Sequence, residues 1–274
     1  MTPIRTTFAT LAFIALSGGA VLAECSPATA VPTITPGVLT VAITSYAPST
    51  FVDSNGDARG IDNDILTEFA RRNCLEFKAV AVDPAAAIQY VLSRQADLST
   101  GSWYRTGERA KMMNLSAPIY KDQLGIFSPG GQGRLEDFDG QVIGTVQGYA
   151  WVNDARRVLG ERLKLYPNST AMHQDIRIGR LAAGLDGYAT GAYAALNDAL
   201  DGLQVQVLAP DDGIKATIVQ PQVGYPYGKW ATEFGAALDG GIAEMHADGT
   251  IVRILAEYGL AAEAADVGPP TLIE

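Results

Sequence analysis

Apolar positions along the chain alternate between two periods, one suited to strands and one to helices. Val38–Ile43 is a short run rich in β-branched residues and reads as a strand. A polar loop follows with the turn dipeptide Asn55-Gly56. Ile61, Ile65, Leu66, Phe69 and Ala70 then recur at helical spacing, with Asp62 and Asp64 opening the helix. Phe77–Val82 is the next strand. Asp83-Pro84 marks a helix start, because Asp offers a capping carboxylate and Pro has no N–H to leave unpaired. Ile88, Val91 and Leu92 give that helix its apolar face, and Asp97-Leu98-Ser99 begins another short strand.

After a glycine-rich break at Ser128–Gly133 the pattern restarts. Gln141–Val146 reads as a strand ending at Gln147-Gly148. Trp151, Val152, Ala155, Val158 and Leu159 form a helix stopped by Gly160. Leu163–Tyr166 is a strand. Thr170 is expected to cap a helix running to Ala183-Gly184, with Tyr188 in the next strand and Ala192–Leu200 a helix. Strand–helix alternation implies mostly parallel sheets flanked by helices, and its repetition implies two α/β lobes. Near the C-terminus, Trp230, Phe234, Leu238, Ile242 and Met245 outline one helix. Asp248-Gly249 breaks it, and Ile251, Ile254, Leu255 and Tyr258 begin another. The tail after Leu260 is expected to fray.

The first 23 residues have a different logic. Arg5 supplies a positive start, Phe8–Leu16 is apolar but too short to span a bilayer, and Val21-Leu22-Ala23 offers a cleavage site. Secretion with cleavage after Ala23 is the expectation. Cys25 raises the alternative of lipidation, but Glu24 stands where a small residue is normally needed. The whole chain has 274 residues, 47% of them hydrophobic, and a net charge of −10. That charge speaks against nucleic acid as a partner, since phosphate binding needs a basic face. Cys25 and Cys74 are the only cysteines and read as one disulfide in an oxidising compartment, with two unlinked thiols as the alternative. Closing a loop of about 50 residues contributes roughly 3–4 kcal/mol in the chain-entropy view. With two His and no Cys/His cluster, no metal and no cofactor are expected.

Four stretches resemble the amino-acid-type (family 3) extracellular solute-binding proteins of ABC importers. They are Gly60-Ile61-Asp62-Asn63-Asp64; Arg94–Asp97 with Thr106–Lys111 and Ser116–Tyr120; Leu135–Gly144 leading to Gln147-Gly148; and Met245–Thr250. The second is the most specific. The resemblance implies a two-lobed periplasmic-binding-protein fold of type II, each lobe a mostly parallel sheet flanked by helices. Lobe 1 would comprise residues 37–126 and 222–274, and lobe 2 residues 127–221. Crossing strands are expected near Leu124–Phe127 and Ile218–Val223. Ligand would sit between the lobes and be trapped by hinge closure. The implied partners are a small molecule and a membrane permease, the chain acting as a periplasmic monomer.

The resemblance also points to site residues. Arg109 stands where the family pairs an arginine with a ligand carboxylate, a task suited to the guanidinium fork. A salt bridge to Glu108 or Asp97 is the structural alternative. Gly101, Ser102 and Trp103 follow the strand ending at Thr100, with Ser102 a hydrogen-bond donor and Trp103 equally readable as hinge packing. Tyr104 departs from the small hydroxyl residue common there. Tyr46 and Phe51 lie where the family stacks an aromatic on the ligand. Tyr149 and Ala150 open a lobe 2 helix whose N–H groups attract a carboxylate, but they lack the usual hydroxyl. Gly191 falls where counting from Asp186 expects the family's ammonium-binding Asp. A missing acid there leaves the ligand open: a standard amino acid, a flat organic acid, or a methylated ammonium held by aromatic faces.

A second class of function, a dehydratase-like enzyme on the same fold, needs a placed acid or base. His173 and His246 are both expected on the surface. A sensor subunit is a third reading.

Overall fold

The computed structural model describes residues 25, 27, 30–53 and 55–274. The expected signal segment lies outside them. The first half of the chain builds β1 (Val38–Ile43), the hairpin β2 (Phe51–Val52) and β3 (Ala58–Arg59), and α1 (Ile61–Arg72). It continues with β4 (Glu76–Ala81), α2 (Pro84–Leu92), β5 (Leu98–Ser99), α3 (Gly107–Met112), β6 (Asn114–Leu115) and β7 (Tyr120–Lys121). Next come β8 (Leu124–Ser128), β9 (Ile143–Val146), α4 (Val152–Leu159), β10 (Leu163–Tyr166), α5 (Ser169–Arg177), β11 (Ala183–Gly187) and α6 (Tyr188–Leu196). The chain ends with β12 (Gln204–Val207), α7 (Lys215–Ile218), β13 (Gln222–Val223), β14 (Pro226–Tyr227), α8 (Thr232–Ala247) and α9 (Thr250–Glu257).

Two five-stranded sheets result, ordered β4-β1-β5-β14-β6 and β10-β9-β11-β8-β12. In the first, β1 runs parallel to β4 and β5, and β14 is antiparallel. In the second, β9 runs parallel to β10 and β11, while β8 and β12 add an antiparallel edge. Strands β1 and β11 are buried along nearly their whole length, as expected of strands covered by helices on both faces. The apolar face of α1 buries Ile61, Ile65, Leu66, Phe69 and Ala70. Its far end is tied to the C-terminal helices, where Arg72 meets Asp248 at 2.7 Å and Thr250 at 2.9 Å. A disulfide joins Cys25 to Cys74, pinning the start of the described chain just beyond α1.

Three expectations change. The first concerns β8, expected as a lobe-crossing strand. It pairs along Leu124–Phe127 with β11 and belongs to the second sheet. The chain crosses between lobes one step earlier and again at β13, where β7 and β13 form a two-stranded antiparallel ribbon. Ile218 ends a short helix rather than starting the return strand. The second change is in lobe 2. Asn168, not Thr170, caps α5 through Ala171 N at 2.9 Å, and left-handed Gly179 follows the helix end. Ala183–Gly187 therefore becomes the central strand, and Tyr188 starts a helix. The alanine-rich composition favours helix, but sheet pairing on both edges outweighs it. Third, the tail does not fray. Ile273 lies parallel to Thr106, bonded to Arg105 O and Gly107 N, and the Gln222 amide holds Val267 O and Pro269 O.

Candidate functional site

The lobes face one another with side chains packed between them. One buried apolar cluster runs from Leu39 and Leu98 of lobe 1 through Tyr104 to Trp151 and Ile143 of lobe 2. Four aromatic rings, two from each lobe, run in a chain beside and through it. Tyr46 meets Tyr149 edge-on at 5.8 Å between centroids, Tyr149 meets Trp151 at 4.9 Å, and Trp151 meets Tyr104 at 5.5 Å. Trp151, readable from sequence as a helix core residue, is thus part of the interlobe surface, with its indole N–H donated to Thr145 Oγ1 at 2.8 Å.

The loop after β5 is shaped from beneath by Asp62. This carboxylate is buried and accepts Ser49 Oγ and the Gly101 N–H, the latter at 3.2 Å. Ser49 Oγ in turn accepts the Ser102 N–H at 2.8 Å. These bonds hold Ser102 at φ 51, a left-handed conformation a serine seldom adopts. Burial pushes the Asp62 carboxyl up to about 6, against those hydrogen bonds. So held, Ser102 Oγ donates to Asp122 Oδ2 at 3.1 Å.

Asp122 lies in the crossing segment between β7 and β8. Its other oxygen accepts the Ala189 N–H at the start of α6, at 3.1 Å, so it touches both lobes. Burial, with the charges of Asp186 and Asp62 adding to it, pushes Asp122 up to about 7. Asp186, fully buried near the carboxyl end of β11, accepts Tyr46 Oη at 3.0 Å through Oδ1. Tyr46 Oη also accepts the Gly187 N–H at 3.2 Å. Among the described residues, Asp186 Oδ2 has no hydrogen-bond partner, and neither does the buried Tyr104 hydroxyl. His173 Nε2 lies 3.4 Å from Asp186 Oδ2, with its ring stacked on Phe127 at 4.5 Å. This corrects the expected surface position of His173: α5 turns it inward against the sheet.

Arg109 sits in α3, whose first turn is capped by Thr106 Oγ1 accepting Arg109 N at 3.2 Å. Its Nη1 donates to Tyr104 O at 2.7 Å, and its guanidinium covers the Trp103 ring at 4.6 Å. Burial pulls its pKa down to about 10. Among the described residues its Nε and Nη2 have no protein acceptor, and no carboxylate lies within salt-bridge distance. Glu108 is therefore not its partner, and Asp97 is committed to the Ile34 and Thr40 N–H groups.

The remaining expected residues divide. Trp103 donates its indole N–H to Thr100 O and packs under Arg109. Tyr149 shares a hydrogen bond with Ser169 Oγ at 3.0 Å. Ala150 is partly buried against the apolar cluster, and the helix begins two residues later, at Val152. Phe51 makes a separate interlobe contact with Tyr193, at 5.7 Å. Gly191 is not in the cleft. A Cβ there would fall 2.6 Å from the Val205 side chain, so the residue is a close-packing point between α6 and β12. The cleft position is Gly187, where a Cβ would fall 2.5 Å from Tyr46 Oη and 2.7 Å from Asp122 Oδ2. Counting from Asp186 overshot it because that Asp is itself at the strand end. Asp122 carried no sequence signal beyond being an acid after a strand; its partners come from three remote segments.

Known proteins share this fold. The chain is 25% identical over 227 residues to the lysine/arginine/ornithine-binding periplasmic protein of Escherichia coli (strain K12), covering 78% of this chain and 84% of that one. A solved structure of a mutant ArgBP from T. maritima superposes with a TM-score of 0.69 at 23% identity, over 81% of this chain and 95% of the other. The ancestral amino acid-binding protein AncCDT-1, described as a precursor of cyclohexadienyl dehydratase, gives 0.71 at 20% identity, over 82% and 96%. The model of the bacterial extracellular solute-binding proteins, family 3, matches residues 39–261, and the chain belongs to that family.

Proposed function

We propose that the protein captures a small amino acid or related carboxylate between its lobes in the periplasm and delivers it to an ABC permease. Arg109 carries the reading. A guanidinium held at one nitrogen, with further donors free of acceptors among the described residues, suits a ligand carboxylate taken by paired charge-assisted hydrogen bonds. The basic amino acids named for the curated relative are the first candidates to test. A secretion signal in residues 1–23 accords with this location. Carboxyls displaced toward neutrality, as at Asp62 and Asp122, are what a catalytic reading would use. Both already carry positioning bonds to a loop or a helix start, which favours binding.

Calorimetric titration of the purified protein with amino acids and dicarboxylates tests the reading. Arg109→Ala is expected to weaken a binding carboxylate about 10- to 100-fold, as for loss of a charged hydrogen-bonded contact. Unchanged affinity in a folded variant would remove Arg109 from the site.

A further inference from the structure

Within the binding reading just given, on which this inference rests, we infer that Asp122 is a specificity-determining residue that, with Asp186, receives a positively charged group of the ligand. The two carboxylates converge from different segments on Gly187. Asp186 Oδ1 and the Gly187 N–H share the Tyr46 hydroxyl, and Asp122 Oδ2 stands where a side chain at 187 would begin. A side chain at 187 would have to displace Tyr46 or Asp122, and the acid of this corner comes from the hinge segment instead.

Both carboxylates are buried, at 3% and 0% exposure, and among the described residues no Lys or Arg pairs with either. Buried acids without a cation are costly: among the described residues Asp122 has none within ion-pair distance, Asp186 Oδ2 has only His173 Nε2 at 3.4 Å, and neither Asp186 Oδ2 nor Tyr104 Oη has a hydrogen-bond partner. Tyr46, Tyr149, Trp151 and Tyr104 pack in a chain beside this corner, and a ring face turned toward it would favour a cation over an anion. Ser102 links Asp122 to the loop beside Arg109, so opposite charges at the two ends of a small zwitterion have separate receivers.

The position of Asp122 adds a consequence. Its bonds to Ser102 of lobe 1 and Ala189 of lobe 2 span the two lobes. Charge recognition thereby falls on a residue that both lobes contact. The titratable groups around it are Asp62 of α1, Asp186 and His173 of lobe 2, and the hydroxyls of Tyr46, Tyr104 and Tyr120. Burial pushes the Asp122 carboxyl up to about 7, so a cation is expected to bind more tightly as pH rises through that value.

The test is calorimetry with L-arginine, L-glutamine and glutarate, which carry two, one and no cationic groups. The expected result is that at least one amino acid binds at least 100-fold more tightly than glutarate. Its affinity should rise several-fold from pH 6 to pH 8.5, and Asp122→Asn should weaken it at least tenfold while flattening that pH dependence. If glutarate binds as tightly as the amino acids, or the folded variant binds an amino acid unchanged, the role of Asp122 is overturned and carboxylate capture stands. If none of the three binds, both readings fall. Should the variant not fold, the pH series on the unaltered protein decides alone: affinity flat across that range overturns the inference.

Discussion

Replacing Asp122 by Asn in the ligand-free protein removes a charge and keeps the shape. The amide oxygen still accepts the Ala189 N–H, and the amide nitrogen faces Ser102 Oγ, which can accept. In the folded protein this carboxyl is pushed up from 3.8 to about 7, chiefly by burial. A group whose folded pKa lies above its unfolded value contributes stability in full below the unfolded pKa. That contribution is lost as pH rises through the folded pKa. The window is therefore about pH 4 to 7. At 1.36 kcal/mol per pH unit, the loss between pH 5 and pH 7 is at most about 3 kcal/mol. For a chain of this size that corresponds to a Tm change of roughly 5–10 °C. Thermal denaturation followed by circular dichroism at pH 5, 6, 7 and 8, at fixed ionic strength, reads it directly. The Asn variant should gain on the unaltered protein steadily from pH 5 to pH 7 and then hold its advantage. Parallel Tm curves for the two proteins would show that Asp122 titrates alike folded and unfolded, and the account of its burial would be wrong.

Two further outcomes follow from the packing. Gly191→Ala should cost about 1–3 kcal/mol by overpacking against Val205 and leave ligand affinity unchanged, because the residue is not in the cleft; a large affinity loss at unaltered stability would return it to the site. Replacing both Cys25 and Cys74 by Ser should lower stability by roughly 3–4 kcal/mol, read as a lower denaturant midpoint; an unchanged midpoint would mean that the cross-link constrains nothing.

The sequence by itself determined the parts of this protein that are local. Helix spacing marked the buried face of α1, Asp-Pro marked the start of α2, and four short motifs identified the family and singled out Arg109. Hydrophobic period and capping chemistry act within a few residues, so they are legible in one dimension. Alanine-rich Leu181–Leu185 was misleading for the same reason. Its composition speaks for helix, and only pairing with β8 and β9 makes it the middle of a sheet. The acid corner was illegible on similar grounds. Asp122, Asp186, Tyr46 and Ser102 are separated by 20 to 140 residues and meet only in the tertiary structure. His173 turns inward because α5 lies against the sheet, and Gly187 rather than Gly191 faces the cleft because β11 ends one residue after Asp186. Burial decides charge, and burial belongs to the tertiary structure: it is what raises the carboxyls of Asp62 and Asp122 and lowers the guanidinium of Arg109.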